Sequence, residues 1–323
     1  MSCSCHLLLT GGKKKKGTDE RLAALKERKK KRTHKKRYID GETAIRCLAL
    51  TNQLPHIRLL PACLMGLSHY IEEKDLDAVL FPGVLVFHWN SHSDLHTEFT
   101  IHFSHTDRVY ALPSLTTRLE ITIEAARRTN KSFVLIPFVL DIRCNGLGED
   151  FCHANMLVLD IRDESAITVE HYEPHGVLAW GWQSFDGKML RPQHIYRKLG
   201  TLLTFCLGSN CTYLPPGRTA SRETGVQRLF SGEDVGYCFT LSMEIGIYRA
   251  QHPELSPMET TRALWRALKR HRRGDSLTFH DIATRFQADI LRQFVSCGGA
   301  LTIYKLTYQL LVKLPDKDEV EKF

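Results

Sequence analysis

Three apolar segments lying close together, residues 133–142, 155–160 and 167–172, constrain this chain more than any other feature. Apolar runs of this length, rich in Val, Ile, Leu and Phe, suit strands covered on both faces better than strands with one wet face. The polar stretch Arg162-Asp163-Glu164-Ser165 separates the second from the third, so residues 156–172 read as an antiparallel hairpin. A sheet buried on both sides needs helices on both sides. Helical spacing is found at 44–50, 59–71, 119–128 and 196–207, and again at 239–250, 257–270, 279–295 and 301–314. Residues 79–81, 84–89 and 98–103 are rich in β-branched and aromatic side chains and read as further strands. The stretch 208–225, with Pro215, Pro216 and Gly217, reads as a loop. The expected fold is therefore α+β: a central mixed or antiparallel sheet flanked by helices, with a helical C-terminal portion.

At 323 residues and 43% hydrophobic content the chain can bury a sizeable core. No apolar run approaches the roughly 18 residues of a membrane span, and Leu7-Leu8-Leu9 is too short for a secretory signal. The expectation is a protein neither secreted nor membrane-bound. The ten cysteines lack the dense spacing of a disulfide scaffold, which suggests a reducing compartment with most thiols acting as small buried hydrophobes. The net charge of +8 is uneven: residues 1–37 hold fourteen Lys or Arg against three acids, a local +11 that leaves the remainder at −3. Three regions follow, a flexible basic tail (1–38), a mixed helix and strand region (39–125), and the region 126–323 in which the chemistry is concentrated. The tail suits nuclear targeting or weak nucleic-acid binding through residues 13–37.

One set of residues has the order and placement that thiol-based amide hydrolysis requires: a thiol, an imidazole, a carboxylate to orient the imidazole, and a donor for the oxyanion. His153 precedes the second apolar run and Glu173 follows the third, so the hairpin brings them together. Cys238 opens the apolar helix 239–250, where free N–H groups and the helix dipole favour a thiolate. Gln227, in a polar segment eleven residues earlier, offers an amide N–H. Among other carboxylates, Asp160 lies too far along its strand, and Glu170 has the opposite parity to Glu173 and faces the other side of the sheet. His171 and His175 compete with His153 as bases, but both share the acid's own segment.

The stretches His153-Ala-Asn-Met-Leu-Val-Leu-Asp160, Val169-Glu-His-Tyr-Glu-Pro-His-Gly176, Gly225-Val-Gln227 and Gly236-Tyr-Cys-Phe-Thr-Leu-Ser242 carry a family likeness. Together they resemble the His, Asp/Glu, Gln, Cys order of the ubiquitin-like-protein-specific protease superfamily, which contains the SUMO proteases and the adenovirus protease. The Tyr-Glu-Pro-His-Gly segment with Gly-Tyr-Cys is similar to a divergent branch found in large DNA viruses. The resemblance spans roughly residues 130–250. It implies a papain-like fold and a cofactor-free cysteine peptidase with Cys238 as nucleophile, His153 as base, Glu173 as orienting acid and Gln227 as oxyanion donor. It also implies a protein substrate, either a viral polyprotein or a ubiquitin-like conjugate, and a location in host cytoplasm, nucleus or virion. Ala154 stands where the family usually has Trp, Glu173 where it often has Asp, and Phe239 where the SUMO proteases have Gly.

Two other expectations compete. One is an inactive peptidase-fold protein with a structural or binding role, using its basic tail for nucleic-acid or nuclear association. The other is zinc binding by His88, His92 and His96, with His102 and His105 following, although no Glu or Cys completes a familiar ligand set. Cys3, Cys5 and His6, and the pair Cys206 and Cys211, are likewise incomplete as zinc ligands. Phosphatase chemistry is excluded because no cysteine is followed six residues later by an arginine, and no phosphate-cradling GxxxxGK[ST] loop is present.

Overall fold

The computed structural model describes residues 39–51, 54, 57–89, 100–103, 109–111, 113–143, 150–176, 182–183, 189–190, 192–230, 237–275 and 278–311. The basic tail, His92, His96, His105 and Gly236 lie outside these described residues. The first part of the chain supplies α1 (Gly41–Leu50), a 3₁₀ turn (Ile57–Leu59), α2 (Leu60–Glu73), β1 (Ala78–Leu80), β2 (Leu85–Trp89), β3 (Thr100–Phe103), β4 (Val109–Ala111) and α3 (Ser114–Arg128). Next come β5 (Phe133–Arg143), β6 (Asp150–Asp160), β7 (Ile167–Tyr172), the short β8 (Trp182–Gln183) and β9 (Met189–Leu190), α4 (Pro192–Leu207), β10 (Cys211–Leu214) and α5 (Pro216–Thr219). Two 3₁₀ turns (Arg222–Thr224 and Val226–Phe230) lead to α6 (Cys238–Gln251), α7 (Pro257–Asp275), α8 (Phe279–Phe294), a π turn (Val295–Gly299) and α9 (Ala300–Leu310).

The protein is α+β, a mixed open sheet flanked by helices. Strand order is β10-β7-β6-β5-β2-β3-β4, with β1 also on β5. The apolar runs explain the centre. β5 pairs antiparallel with β6 along its whole length, from Phe133 opposite Asp160 to Arg143 opposite Asp150. On its other edge β5 takes two parallel partners end to end, β1 along residues 133–135 and β2 along residues 138–142. Strands from both sides of residue 125 therefore share one sheet.

Each face has its own cover. One face of β5 and β6 presents Val134, Ile136, Phe138, Leu140, Leu157 and Leu159 to Leu119 and Ile123 of α3 and Ile195, Leu199 and Leu203 of α4. Fully burying such a side chain contributes about 1.5–3 kcal/mol. The opposite face packs Val84, Val86, Val139 and Ala154 against Leu60, Leu64, Cys238 and Phe239. Most residues of α6 are buried, so this helix runs between the sheet and α7 and α8, consistent with its apolar character on all sides.

Two local expectations are revised. β6 begins at Asp150, so His153 lies inside the strand rather than just before it. The stretch 208–225 contains β10, which runs parallel to the edge of β7 from Cys211 opposite Ile167 to Leu214 opposite Glu170. Pairing with a neighbouring strand compensates in both places for weak local propensity. Among the described residues no helix is long and apolar enough to cross a membrane. Cys47, Cys63, Cys206 and Cys211 are buried free thiols, Cys238 is half-buried and Cys297 is exposed.

Candidate active site

The site lies where β7 stops. The β6–β7 ladder runs from Asp160 opposite Thr168 to Met156 opposite Tyr172. Glu173 and Pro174 follow, and a proline has no N–H with which to extend the ladder. β6 continues through residues 150–155, where among the described residues only β5 pairs with it. Extending the register sets 173 beside 155 and 175 beside 153, which puts His153, Asn155, His171 and Glu173 on the face covered by α4. The turn after Tyr172 is shaped by two glycines. Gly176 has φ of +79°, and a Cβ on Gly225 would collide with the His175 carbonyl. The close approach lets the Gln227 N–H donate to the Pro174 carbonyl at 2.8 Å and Arg228 Nε donate to the His175 carbonyl at 2.9 Å.

His153 and Glu173 form a buried pair, 3% and 1% exposed, with Nε2 of the imidazole 2.5 Å from Oε1 of the carboxylate. The backbone N–H of His175 also donates to Oε1 at 3.0 Å, and the Tyr196 hydroxyl of α4 donates to Oε2 at 3.3 Å. With Nε2 committed to Glu173, the ring nitrogen that remains for the thiol is Nδ1.

Cys238 arrives from the opposite face, as the first residue of α6. Its Sγ accepts the Ala154 N–H at 3.4 Å, on the edge of β6 that β7 has left. One turn along the helix, Ser242 Oγ donates to the Cys238 carbonyl at 2.7 Å and to the Ala154 carbonyl at 3.1 Å, pinning the helix start to the strand. Thiol and imidazole thus meet across an unpaired strand edge, and they share a hydrogen bond.

The electrostatics favour a charged pair. Burial works against the imidazolium, but the Glu173 charge and the Cys238 hydrogen bond outweigh it and raise the His153 pKa to about 10. Burial alone would raise the Cys238 pKa, yet the hydrogen bond and charge of His153, with the Ala154 N–H, bring it below the ordinary thiol value. Burial also opposes ionised Glu173, and the His153 charge more than compensates, so the carboxyl titrates below its usual range. The imidazolium persists below about pH 10 and the thiolate persists above the lowered thiol pKa, so the ion pair occupies the window between.

No protein-family model, characterised protein or solved structure matches this chain.

His153, Glu173 and Cys238 are brought together. Gln227 lies in the 3₁₀ turn docked on Pro174, and among the described residues its Oε1 is buried without a hydrogen-bond partner. The competing histidines divide. His171 is held between Asn155 Oδ1 at 3.1 Å and the Tyr213 hydroxyl at 2.6 Å, and burial pushes its pKa down to about 3, so it stays neutral. The His175 ring stands 5.4 Å from that of His153. Asp160 pairs with Arg162, and Glu170, on the other face, pairs with Arg249. His88 is buried in β2, and among the described residues no group of three or more His, Cys, Asp or Glu is placed to hold a metal ion.

Sequence reasoning missed Tyr196, Ser242 and the Asn155–His171–Tyr213 chain. Parity with His153 and Glu173 marks Asn155 and His171, whereas nothing local marks Tyr196. Glu173→Gln, which removes the charge and keeps the shape, is expected to lower the alkaline transition of the His153 ring from about 10 toward the ordinary histidine range. Ring NMR across a pH series measures it. An unchanged transition would mean that the carboxylate does not hold the proton on the imidazole.

Proposed function

We propose that the chain is a papain-like cysteine peptidase that hydrolyses amide bonds through Cys238, His153 and Glu173. The supporting observation is the convergence of a helix-start thiol and a carboxylate-held imidazole at one unpaired strand edge. In this reading the Cys238 thiolate attacks the scissile carbonyl carbon, and the tetrahedral oxyanion is met by backbone N–H groups at the start of α6 and by the Gln227 amide. The buried, unpartnered end of Gln227 supports that role, since amide oxygen and nitrogen are interchangeable by a flip. The His153 imidazolium donates its proton to the leaving amine as the C–N bond breaks, leaving a thioester on Cys238. The now neutral imidazole takes a proton from water, whose oxygen attacks the thioester. A carboxylic acid leaves and the thiolate returns. Glu173 keeps the imidazole oriented throughout. The substrate class is a protein chain, a viral polyprotein or a ubiquitin-like conjugate.

The test compares two thiols and then asks for cleavage. At neutral pH, iodoacetamide is expected to alkylate half-buried Cys238 faster than exposed Cys297, as mapped by mass spectrometry, because activation rather than access sets the rate. The same protein is expected to release fluorophore from peptide amides or ubiquitin-like C-terminal conjugates, with Cys238→Ala as the blank. Slower alkylation of Cys238 than of Cys297 contradicts an activated thiol. Fast alkylation with no cleavage of any amide substrate contradicts the peptidase reading and favours a binding protein.

A further inference from the structure

Helix α7 holds a concentration of positive charge separate from the tail. Residues 257–275 contain six Lys or Arg against two acids, a net +4. Taking this +4 and the +11 of residues 1–37 from the whole-chain +8 leaves every other residue together at −7. Positive charge in this protein is thus gathered into two elements against an acidic remainder.

The geometry of α7 orients that charge. Thr260, Leu264 and Leu268 recur every fourth residue and are buried, and Thr261 anchors the helix by donating to the Thr219 carbonyl at 2.7 Å. Arg262, Arg266 and Arg270 recur with the same spacing on the outward side and are exposed. Successive guanidinium groups on such a stripe are about 6 Å apart along the axis. Beside them Lys269 stands 3.8 Å above the Trp265 ring, and Ala263, Trp265, Arg266, Lys269 and Arg270 line one open depression.

We propose that this outward face of α7, through Arg262, Arg266, Lys269 and Arg270, binds the phosphate backbone of nucleic acid without reading its sequence. A helix that docks in a protein groove presents apolar anchors at every third or fourth position, and a membrane-lying helix buries an apolar face in lipid. The apolar stripe of α7 is already turned into its own protein, and the outward face offers cations beside a ring that Lys269 covers. Closely spaced cations around a single ring, rather than a row of apolar anchors, are complementary to a phosphate chain. The proposal is independent of the peptidase reading.

Fluorescence anisotropy on the full chain tests it, with a labelled random-sequence duplex and a single strand of equal length, titrated across about 50–200 mM salt. The triple variant Arg262→Gln, Arg266→Gln, Arg270→Gln replaces each arginine with another good helix former. Binding is expected to weaken by about tenfold or more, and the slope of log K against log salt to become shallower by about 2–3, close to one unit for each phosphate no longer neutralised. The triple Arg→Lys variant is expected to retain binding, and Cys238 alkylation is expected to be unchanged in both. Unchanged affinity and slope in the Gln variant would overturn the proposal by assigning all binding to the tail. Binding of labelled polyglutamate as tight as that of the duplex would overturn it in favour of an acidic protein partner. If the triple variant loses its helical circular dichroism, Arg266→Glu alone carries the same test, and undiminished binding in that variant overturns the proposal.

Discussion

Replacing His153 with glutamine is expected to slow alkylation of Cys238 at neutral pH, by up to about 100-fold, and in the proposed reaction to slow hydrolysis of amide substrates by about 10⁴-fold or more. The first figure follows from ionisation. A thiol with an ordinary pKa near 9 is only about 1% thiolate at pH 7, so complete ionisation is worth about 100-fold, and the hydrogen bond and charge of the imidazole move the paired thiol in that direction against the effect of burial. The second is larger because in the proposed reaction the imidazole also delivers the proton to the leaving amine. Glutamine keeps a donor in reach of Glu173, so the buried carboxylate is not stranded. Stopped-flow alkylation and substrate hydrolysis measure the two effects on folded protein. A change below about threefold in alkylation would show that His153 does not set the state of the thiol.

Arg249→Met is expected to destabilise the fold by about 3–5 kcal/mol, because it strands a buried carboxylate. Arg249 is fully buried on α6, and its Nε and Nη2 donate to the two oxygens of Glu170 on β7 at 2.9 and 3.0 Å. Its Nη1 donates to the carbonyls of His252 and Pro253 at 3.2 Å each, and the guanidinium lies 4.4 Å over the Phe133 ring. Tyr172 completes the cluster, donating to Glu170 at 2.6 Å. This cluster fixes the far end of α6 to the sheet, as Ser242 fixes the start that carries Cys238. The midpoint of thermal unfolding is expected to fall by on the order of 10 °C. The double variant Arg249→Met, Glu170→Met should recover much of the loss, since it removes the stranded charge together with its partner. Equal stability of the single variant and the parent would contradict the argument, as would a double variant no better than the single.

Much of the layered architecture is legible in the order of residues alone. The apolar runs of β5, β6 and β7 announce a buried centre because few side chains suited to solvent interrupt them. The polar turn at residues 162–165 sets the hairpin and thereby its parity. Parity separated Glu173 from Glu170, and the two carboxylates indeed face opposite sides, one toward His153 and the other toward Arg249. Less was legible where pairing overrides composition. Cys211–Leu214 lies between Gly208-Ser-Asn and Pro215-Pro216-Gly217, and turn chemistry dominates such a window, yet the open edge of β7 makes it a strand. The polar His153-Ala-Asn155 step hid the first half of β6 for the same reason. That β1 and β2 share one edge of β5 rests on pairings about 50 residues apart along the chain, which no local window contains.

The same division holds at the candidate site. Order and spacing along the chain singled out the candidate residues: a thiol opening an apolar helix, and an imidazole and a carboxylate at neighbouring strand positions. These are local properties, governed by periodicity and by the ends of elements. Only the tertiary structure decided that the thiol and the imidazole meet. Cys238 and His153 approach from opposite faces of the sheet, and they reach each other because β7 ends at Tyr172, two residues before Pro174, and leaves the Ala154 N–H to the thiol. It also decided the protonation of the histidines. Burial lowers the pKa of both imidazoles of this hairpin, but at His153 the Glu173 charge and the Cys238 hydrogen bond outweigh it and raise the pKa to about 10, whereas at His171 burial prevails and the pKa falls to about 3.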